Sequence, residues 1–316
     1  DLHNTTLLAS QEQYSPIIDW YAKKNIRASV DQKELDTTGF FDEIALELGN
    51  SYGVLGEISE KIKRTQKKGY TNINFPLSQK SQKDIQKITQ FFNDLYKYSF
   101  VAKYFYQKKE KIVSITLQTA PNIVHFFNGS WFEWFVFIKF INLLQEKHLS
   151  FSGTRRLTII FANEDTYELD TVFLINNSIP LCIECKSGEF RKDLDKLIRL
   201  RKRLQVKPQH FLLCVAGLSE EQSQGLSSMY EFTVVNEKTL FDHVEQLLGW
   251  SQGRQQSLSP ASSAIKVVPS HPSLSTDDRP QMFKTTSMVS PWFRLPASAG
   301  HKPHRWWPAL ALNWHQ

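Results

Sequence analysis

The chain has 316 residues, of which 41% are hydrophobic and 22% charged, a composition typical of a globular protein with one large or two modest domains. It contains no run of about eighteen apolar residues, which argues against a membrane-spanning protein. The net charge of +6 is compatible with a polyanionic partner such as nucleic acid.

The first segment with clear periodicity spans residues 40–64, which read as one or two amphipathic helices with a break between Gly49 and Gly53. Residues 81–98 form a second helical pattern, and residues 100–117 predict a β-hairpin across the basic turn QKKE. Helices followed by a basic-tipped hairpin are compatible with a winged-helix unit that contacts a nucleic-acid backbone. A small helical cap with a solvated turn is the simpler interpretation.

The next predicted helix runs from Trp131 to Lys147 and is apolar nearly all round, so we expect it to be buried. Asn128 or Ser130 is expected to cap its start. Glu133, in the first turn, is the exception to the apolar pattern. It could simply complement the helix dipole, but beside a cluster of other acids it would suit a metal site.

A core strand at residues 157–162 leads into a predicted antiparallel hairpin formed by residues 167–175 and 181–186. If its polar loop centres on Asn177, partner residue numbers add to about 354, which sets Asp170 opposite Glu184. The same register sets Glu168 opposite Lys186. Alternation along the strands then gathers three carboxylates and one lysine on one face of the hairpin.

Charges beside a hydrophobic core are costly unless they pair with each other or bind a cation. A simple ion pair between Lys186 and Glu168 or Glu184 is one interpretation. The other is a site for Mg²⁺ or Mn²⁺, cations that prefer carboxylate oxygens and water, with the lysine orienting the water.

A basic helix, predicted from about residue 192 to residue 205, follows the hairpin. Between Arg191 and Lys207 there are eight Lys and Arg residues, which suits contact with a phosphodiester backbone, although a solvated helix face also explains part of the charge. Two strands at residues 210–216 and 230–235 and a closing helix complete the pattern. The candidate nucleic-acid contacts on the basic helix are Lys192, Lys196, Arg199 and Arg203.

These residues resemble the core motif of the PD-(D/E)XK nuclease superfamily, which reads here as E-L-D, a hairpin, and then I-E-C-K before a basic helix. In this resemblance Asp170 is the first acid, Glu184 the second acid and Lys186 the lysine. Leu169 stands where the name of the motif has proline, a position that is loosely kept in the superfamily.

The segment FNGSWFEWFVF, residues 127–137, is similar to the helix that begins the nuclease domain of CRISPR ancillary nucleases, which follows a cyclic-nucleotide-sensing (CARF) domain. By that resemblance Glu133 is the helix-borne acid of the metal site. No Gly-rich strand-turn-helix repeat typical of a nucleotide sensor is visible in residues 1–120. We therefore do not carry over the activation mode of those enzymes.

The resemblance implies a metal-dependent endonuclease that hydrolyses phosphodiester bonds, with DNA favoured over RNA. Asp170, Glu184 and the Cys185 carbonyl are expected to hold Mg²⁺ or Mn²⁺, with Glu133 bound directly or through water and Lys186 orienting the attacking water. A catalytically silent module that binds nucleic acid is the alternative, and a purely structural cluster is a third. Defence, repair and mobile-element roles, and a homodimer, all stay open.

The predicted fold is α/β, a restriction-endonuclease-like mixed sheet flanked by helices and preceded by a mainly helical N-terminal domain with a β-hairpin. We place the N-terminal domain at residues 1–120 and the nuclease-like domain at residues 121–250. Residues 251–316 are rich in Ser, Pro, Gln and His and are predicted to be disordered.

The three cysteines all lie in apolar, strand-like stretches. The spacing of Cys182 and Cys185 would suit zinc or redox chemistry, but Cys185 lies between Glu184 and Lys186 in the predicted strand. We favour buried free thiols in a reducing cytoplasm.

Overall fold

The computed structural model describes residues 11–30 and 39–249. The tail predicted for residues 251–316 lies outside the described residues. The strands are β1 (Arg27–Val30), β2 (Asn72–Pro76), β3 (Val101–Gln107), β4 (Ile112–Leu117), β5 (Phe151–Ile160), β6 (Thr166–Ile175), β7 (Ile179–Lys186), β8 (Phe211–Val215) and β9 (Thr233–Val235).

Nine α-helices are described within the same ranges. They are α1 (Gln11–Ala22), α2 (Phe40–Asn50), α3 (Tyr52–Lys67), α4 (Gln82–Lys97), α5 (Pro121–His125), α6 (Trp131–Glu146), α7 (Leu194–Leu204), α8 (Glu220–Met229) and α9 (Thr239–Leu247). A π-helical turn, Phe126–Ser130, joins α5 to α6, and a short 3-10 turn precedes α7. Within the described ranges, no helix is both long and apolar enough to span a membrane.

The larger sheet has six strands in the order β1-β5-β6-β7-β8-β9. Neighbouring strands are antiparallel from β1 to β7, whereas β7, β8 and β9 run parallel to one another. This mixed sheet flanked by helices confirms the predicted fold class.

Two hydrophobic cores cover the two faces of the six-stranded sheet, because successive side chains on β6 point to opposite faces. Phe173 lies in the core on the α6 side, where its ring centroid is 5.3 Å from that of Phe137 and 4.9 Å from that of Phe140. Val172 and Leu174 lie in the core on the side of α1 and α7. The predicted burial of α6 all round is confirmed, because ten of its sixteen residues are buried.

The N-terminal elements α2, α3, α4 and the β3–β4 hairpin all occur where the sequence predicts them, with the break between α2 and α3 at Ser51. Strand β2 was not predicted, and it completes a three-stranded antiparallel sheet in the order β2-β4-β3. Helix α2 packs closely on α6, since a Cβ atom at Gly49 would overlap the ring of Phe135. Glycine is therefore required at this crossing.

Helix α1 and strand β1 were not predicted from the sequence either. Strand β1 pairs antiparallel with β5, from Arg27 opposite Ile160 to Val30 opposite Leu157. A segment from the first 120 residues thus contributes to the larger sheet, and the domain division at residue 120 stays a prediction.

Candidate active site

The β6–β7 hairpin has the predicted register. Its ladder runs from Thr171 opposite Ile183 to Ile175 opposite Ile179, so partner numbers add to 354. Just beyond this ladder the backbone pairing gives way to a side-chain bond, in which the Cys185 N–H donates to Asp170 Oδ2 at 2.7 Å. The end of the hairpin is therefore held by a carboxylate, which fixes the side chain of Asp170 beside β7.

Lys186 links the two acids that the hairpin brings together. Its Nζ atom lies 3.5 Å from Asp170 Oδ2 and 3.5 Å from Glu184 Oε2. Asp170 is only 8% exposed and Glu184 only 5% exposed, so this is a buried cluster and not a surface ion pair. One ammonium group thus faces two carboxylates that are both shielded from water.

Glu133 reaches the same cluster from the first turn of α6. The π-helical turn before α6 contains Gly129 at φ 146°, and a Cβ atom there would lie 3.4 Å from Ser187 Oγ, just after β7. The positive φ favours glycine, which lets the start of α6 approach the end of β7.

The expected side-chain cap at the start of α6 is wrong. The Ser130 hydroxyl instead donates to the His125 carbonyl at 3.2 Å and makes no cap bond.

The electrostatics of the cluster reflect crowding of buried acids. Burial, followed by the charge of Asp170, raises the pKa of Glu184 to about 8. The same two causes raise the pKa of Glu133 to about 8, against the opposing field of Arg155. Burial also raises the pKa of Asp170, although Lys186 and the Cys185 N–H oppose the shift. The three carboxyl groups therefore resist being ionised together without a further positive charge.

The residues present fit a hard cation by donor type. Glu133 Oε2 and Glu184 Oε1 are buried oxygen atoms without a hydrogen-bond partner, and carboxylate oxygens are the preferred ligands of Mg²⁺. As the side chains stand, no group of three or more His, Cys, Asp and Glu residues within the described ranges is arranged to hold a metal ion. The cluster thus contains two buried carboxylate oxygens whose capacity to accept a hydrogen bond or a cation is unused.

Glu168 does not face Lys186, contrary to the expected pairing. Its carboxylate accepts hydrogen bonds from Arg156 Nε at 3.1 Å and Arg156 Nη2 at 3.3 Å. Arg156, on β5, has a positive φ of 51°. The neighbouring Arg155 is buried, with its guanidinium carbon 3.4 Å from the centre of the Trp134 ring. Both arginines border the acid cluster.

The basic residues of α7 and the turn before it divide into two groups. Lys192, Lys196 and Arg199 are exposed, and Lys196 Nζ lies 5.6 Å from the centre of the Tyr167 ring. Arg203 is instead engaged by the β5–β6 turn, donating to Asp165 Oδ2 at 2.6 Å and to Asn163 Oδ1 at 2.7 Å. A nucleic-acid strand would have to compete with the turn for Arg203.

The prediction of buried free thiols is confirmed, since all three cysteines are buried and free. Cys182 lies in the core on the α1 side, where its Sγ is 3.4 Å from the Tyr21 hydroxyl, and burial raises its pKa to about 12. Cys185 lies in the opposite core. The two thiols therefore face opposite sides of the sheet.

Lys63 was not predicted to be a site residue, but it lies near the acid cluster, at the turn that follows β7. Its Nζ atom is 3.7 Å from where a Cβ atom of Gly188 would stand, in the turn that follows β7. The side chain is 15% exposed and lies 3.6 Å from Glu60 on the same helix, α3. The sequence shows only a basic run at the end of a helix, and nothing local in it tells which charge faces the hairpin.

No protein-family model matches this chain, and no curated protein sequence matches it either. Among solved structures, protein VC1899 from Vibrio cholerae is similar over 74% of this chain and 60% of its own, with a TM-score of 0.50 and 17% identity. Can2 from Sulfobacillus thermosulfidooxidans, in complex with cyclic tetra-adenylate, has a TM-score of 0.49 and 14% identity over 73% of this chain and 59% of its own. The chain thus spans about three fifths of the length of both proteins. The likeness to VC1899 concerns the fold alone.

Proposed function

We propose that this protein is a metal-dependent endonuclease that hydrolyses phosphodiester bonds of nucleic acid, with DNA preferred over RNA. The observation that carries the proposal is the position of Lys186 Nζ, 3.5 Å from a carboxylate oxygen of Asp170 and 3.5 Å from one of Glu184. Buried oxygens of Glu133 and Glu184 without partners add to it. This combination suits phosphodiester hydrolysis, which needs a bound cation and an oriented water.

The proposed ligands of Mg²⁺ or Mn²⁺ are Asp170, Glu184 and the Cys185 carbonyl, with Glu133 bound directly or through water. When bound, such an ion makes water a better nucleophile and stabilises charge on the phosphate. Asp170 is pre-positioned for this role because the Cys185 N–H already holds one of its two oxygens.

Lys186 acts as a proton donor in hydrogen bonds and as a positive charge. Burial alone would lower its pKa, but the carboxylates of Asp170 and Glu184 outweigh that effect and raise the pKa above the ordinary value. A lysine that keeps its proton can orient the attacking water and stabilise negative charge on the phosphate. It does not suit the role of general base in this state.

Basic side chains near the cluster are the proposed contacts for the nucleic-acid backbone. Lys192, Lys196 and Arg199 are exposed at the start of and along α7. Lys63 approaches the turn after β7 from α3. Phosphate contacts of this kind position a strand without reading its sequence. The winged-helix interpretation of the three-stranded sheet and α4 belongs to the same proposal.

Cleavage of supercoiled plasmid, single-stranded DNA and single-stranded RNA, each with Mg²⁺, Mn²⁺ or EDTA, tests the proposal. We expect metal-dependent cutting that Asp170→Asn or Lys186→Ala lowers at least about 100-fold, because each removes a charge acting on the reacting groups. Lys23→Ala, an exposed lysine after α1, is the matched control and should cut normally.

The outcomes separate the alternatives. Salt-sensitive binding without cutting of any substrate would indicate the catalytically silent binding module. Equal cutting by the wild type and Lys186→Ala would overturn the proposed active site. For Asp170→Asn we expect retained affinity for nucleic acid together with lost cleavage, since the acid repels phosphates when no metal is bound.

A further inference from the structure

A cleft of about 850 Å³ opens at the junction of the α2–α3 turn, α4, α6 and the start of α9. Its lining includes none of Glu133, Asp170, Glu184 and Lys186, so the cleft is separate from the acid cluster. The volume falls in the range of small-molecule sites, roughly 300–1,000 Å³. The proposed nuclease function leaves this cleft unused.

Four lysines from three elements line the cleft. Lys83 and Lys87 lie one turn apart on α4, Lys139 comes from α6, and Lys238 directly precedes α9. Lys87 pairs with Glu47 at 3.3 Å. Among the described residues, no salt bridge engages the ammonium groups of the other three. Three of the four ammonium groups are therefore available to an anionic ligand.

The two acids of the lining offset only part of this charge. Asp84 accepts a hydrogen bond from the Ser81 hydroxyl at 2.8 Å, where it supports the start of α4. Glu237 is 8% exposed and accepts the Gly217 N–H at 2.8 Å. Both carboxylates are thus held by hydrogen bonds within the protein. With Lys87 paired to Glu47, three lysines face these two carboxylates.

Aromatic rings and an open glycine complete the lining. Tyr52 is stacked on Trp131, with ring centroids 5.5 Å apart, and Phe241 lies with the Lys139 Nζ atom 5.5 Å from its ring centre. A Cβ atom at Gly53 would meet nothing within 4 Å. The cleft thus offers apolar faces next to cations and has free space beside α3.

We propose that this cleft binds a phosphate-bearing ligand of nucleotide size. Its phosphate oxygens would contact Lys83, Lys139 and Lys238, and its ring would pack against Phe241. Phosphate is the anion that suits several ammonium groups at once, because it carries several charged acceptor oxygens. The ligand is either a free nucleotide or a nucleotide at the end of a strand. The proposal does not depend on the nuclease activity.

Isothermal titration calorimetry of the full chain tests the proposal with four probes: ATP, AMP, adenosine and a 5′-phosphorylated single-stranded 12-mer. We expect at least one phosphorylated probe to bind more tightly than adenosine, and its affinity to fall as salt is raised. The double variant Lys83→Ala, Lys238→Ala should weaken that binding about tenfold or more, since two charged hydrogen bonds are lost. Lys23→Ala serves as the control for loss of an exposed lysine.

A second variant blocks the cleft and leaves its charges in place. Gly53→Leu adds a side chain where the structure has open space, and Gly225→Leu does the same on the exposed surface of α8. We expect Gly53→Leu to abolish binding of the phosphorylated probe and Gly225→Leu to leave it unchanged. Thermal unfolding of both variants verifies that they fold.

The results then separate the two sources of the ligand. Binding of ATP or AMP that the cleft variants weaken assigns a free nucleotide. Cleft-dependent binding of the 12-mer alone assigns the phosphates of a strand. Absence of binding by every probe, or binding that neither cleft variant changes, overturns the proposal. The readout is binding and not cleavage, so failure of the proposed nuclease activity would leave this result interpretable.

Discussion

Glu184→Gln is the substitution that most directly tests the electrostatics of the acid cluster. Burial and the nearby charge of Asp170 raise the pKa of Glu184 from 4.5 to about 8. A carboxyl group with a raised pKa in the folded protein stabilises the fold fully below its unfolded pKa, and this contribution is lost as pH rises through the folded pKa. The neutral amide of glutamine has nearly the same shape and does not ionise.

The size of the effect follows from the two pKa values. A pKa difference of about 3.5 corresponds to roughly 5 kcal/mol between the protonation states. Ionisation of Glu184 in the folded protein lowers the free energy of unfolding by about 4 kcal/mol at pH 8 and by about 1 kcal/mol at pH 5. In EDTA, the stability of Glu184→Gln relative to the wild type should therefore rise by roughly 3 kcal/mol between pH 5 and pH 8. Because Glu184 is only 5% exposed, solvent screening reduces this figure little.

Urea denaturation at several pH values, followed by circular dichroism, measures this difference. The matched control is Glu110→Gln, an exposed residue in the β3–β4 turn, whose stability difference should not change over the same range. If the difference between Glu184→Gln and the wild type stayed within about 1 kcal/mol from pH 5 to pH 8, the raised pKa would be refuted. The carboxyl groups of the cluster could then ionise together without a bound cation.

Three further predictions concern the framework of the site and are measured by chemical denaturation. Gly129→Ala should cost about 1–3 kcal/mol because of its φ of 146°, whereas Gly225→Ala within α8 should be neutral or stabilising; equal effects would contradict the strained turn. Phe173→Ala should cost about 3–5 kcal/mol, and Phe105→Ala, at 62% exposure, under about 1 kcal/mol, so similar losses would refute the assigned core. Ser81→Ala should cost about 1 kcal/mol, because the Ser81 hydroxyl oxygen accepts a hydrogen bond from the Asp84 N–H at the start of α4. An unchanged free energy of unfolding would show that this cap does not stabilise the helix.

Much of the site could be predicted because it depends on local chain geometry. Alternation along β6 and β7 and a short polar loop determine which side chains meet, so the register of Asp170 and Glu184 followed from counting residues. The same counting predicted the wrong partner for Glu168. Its partner, Arg156, lies on β5 with a positive φ that no pattern of side chains reveals, and the ion pair draws the carboxylate away from Lys186.

Long-range packing explains the other misses. Strand β1 has only four residues, in a polar stretch, and it is a strand because β5 offers an unpaired edge. Strand β2 likewise depends on β4, which lies about forty residues later in the chain. The position of Lys63 beside Gly188 depends on where α3 packs relative to the turn after β7. None of these contacts has a sequence signal within a window of one helix or strand.

The composition of the acid cluster itself argues against a purely structural role. Lys186 lies equally close to Asp170 and Glu184, and Glu133, whose ionised form is favoured by the field of Arg155 and Arg156, adds a third carboxyl group to the cluster. A buried pair that served only the fold would be more stable with the extra acids replaced by apolar side chains, since unpaired buried charge is costly. A bound cation would favour the ionised form of Glu133 and Glu184, whose pKa values burial and the charge of Asp170 raise to about 8. A structural role would require that Lys186→Ala lower the melting temperature strongly whether or not divalent metal is present.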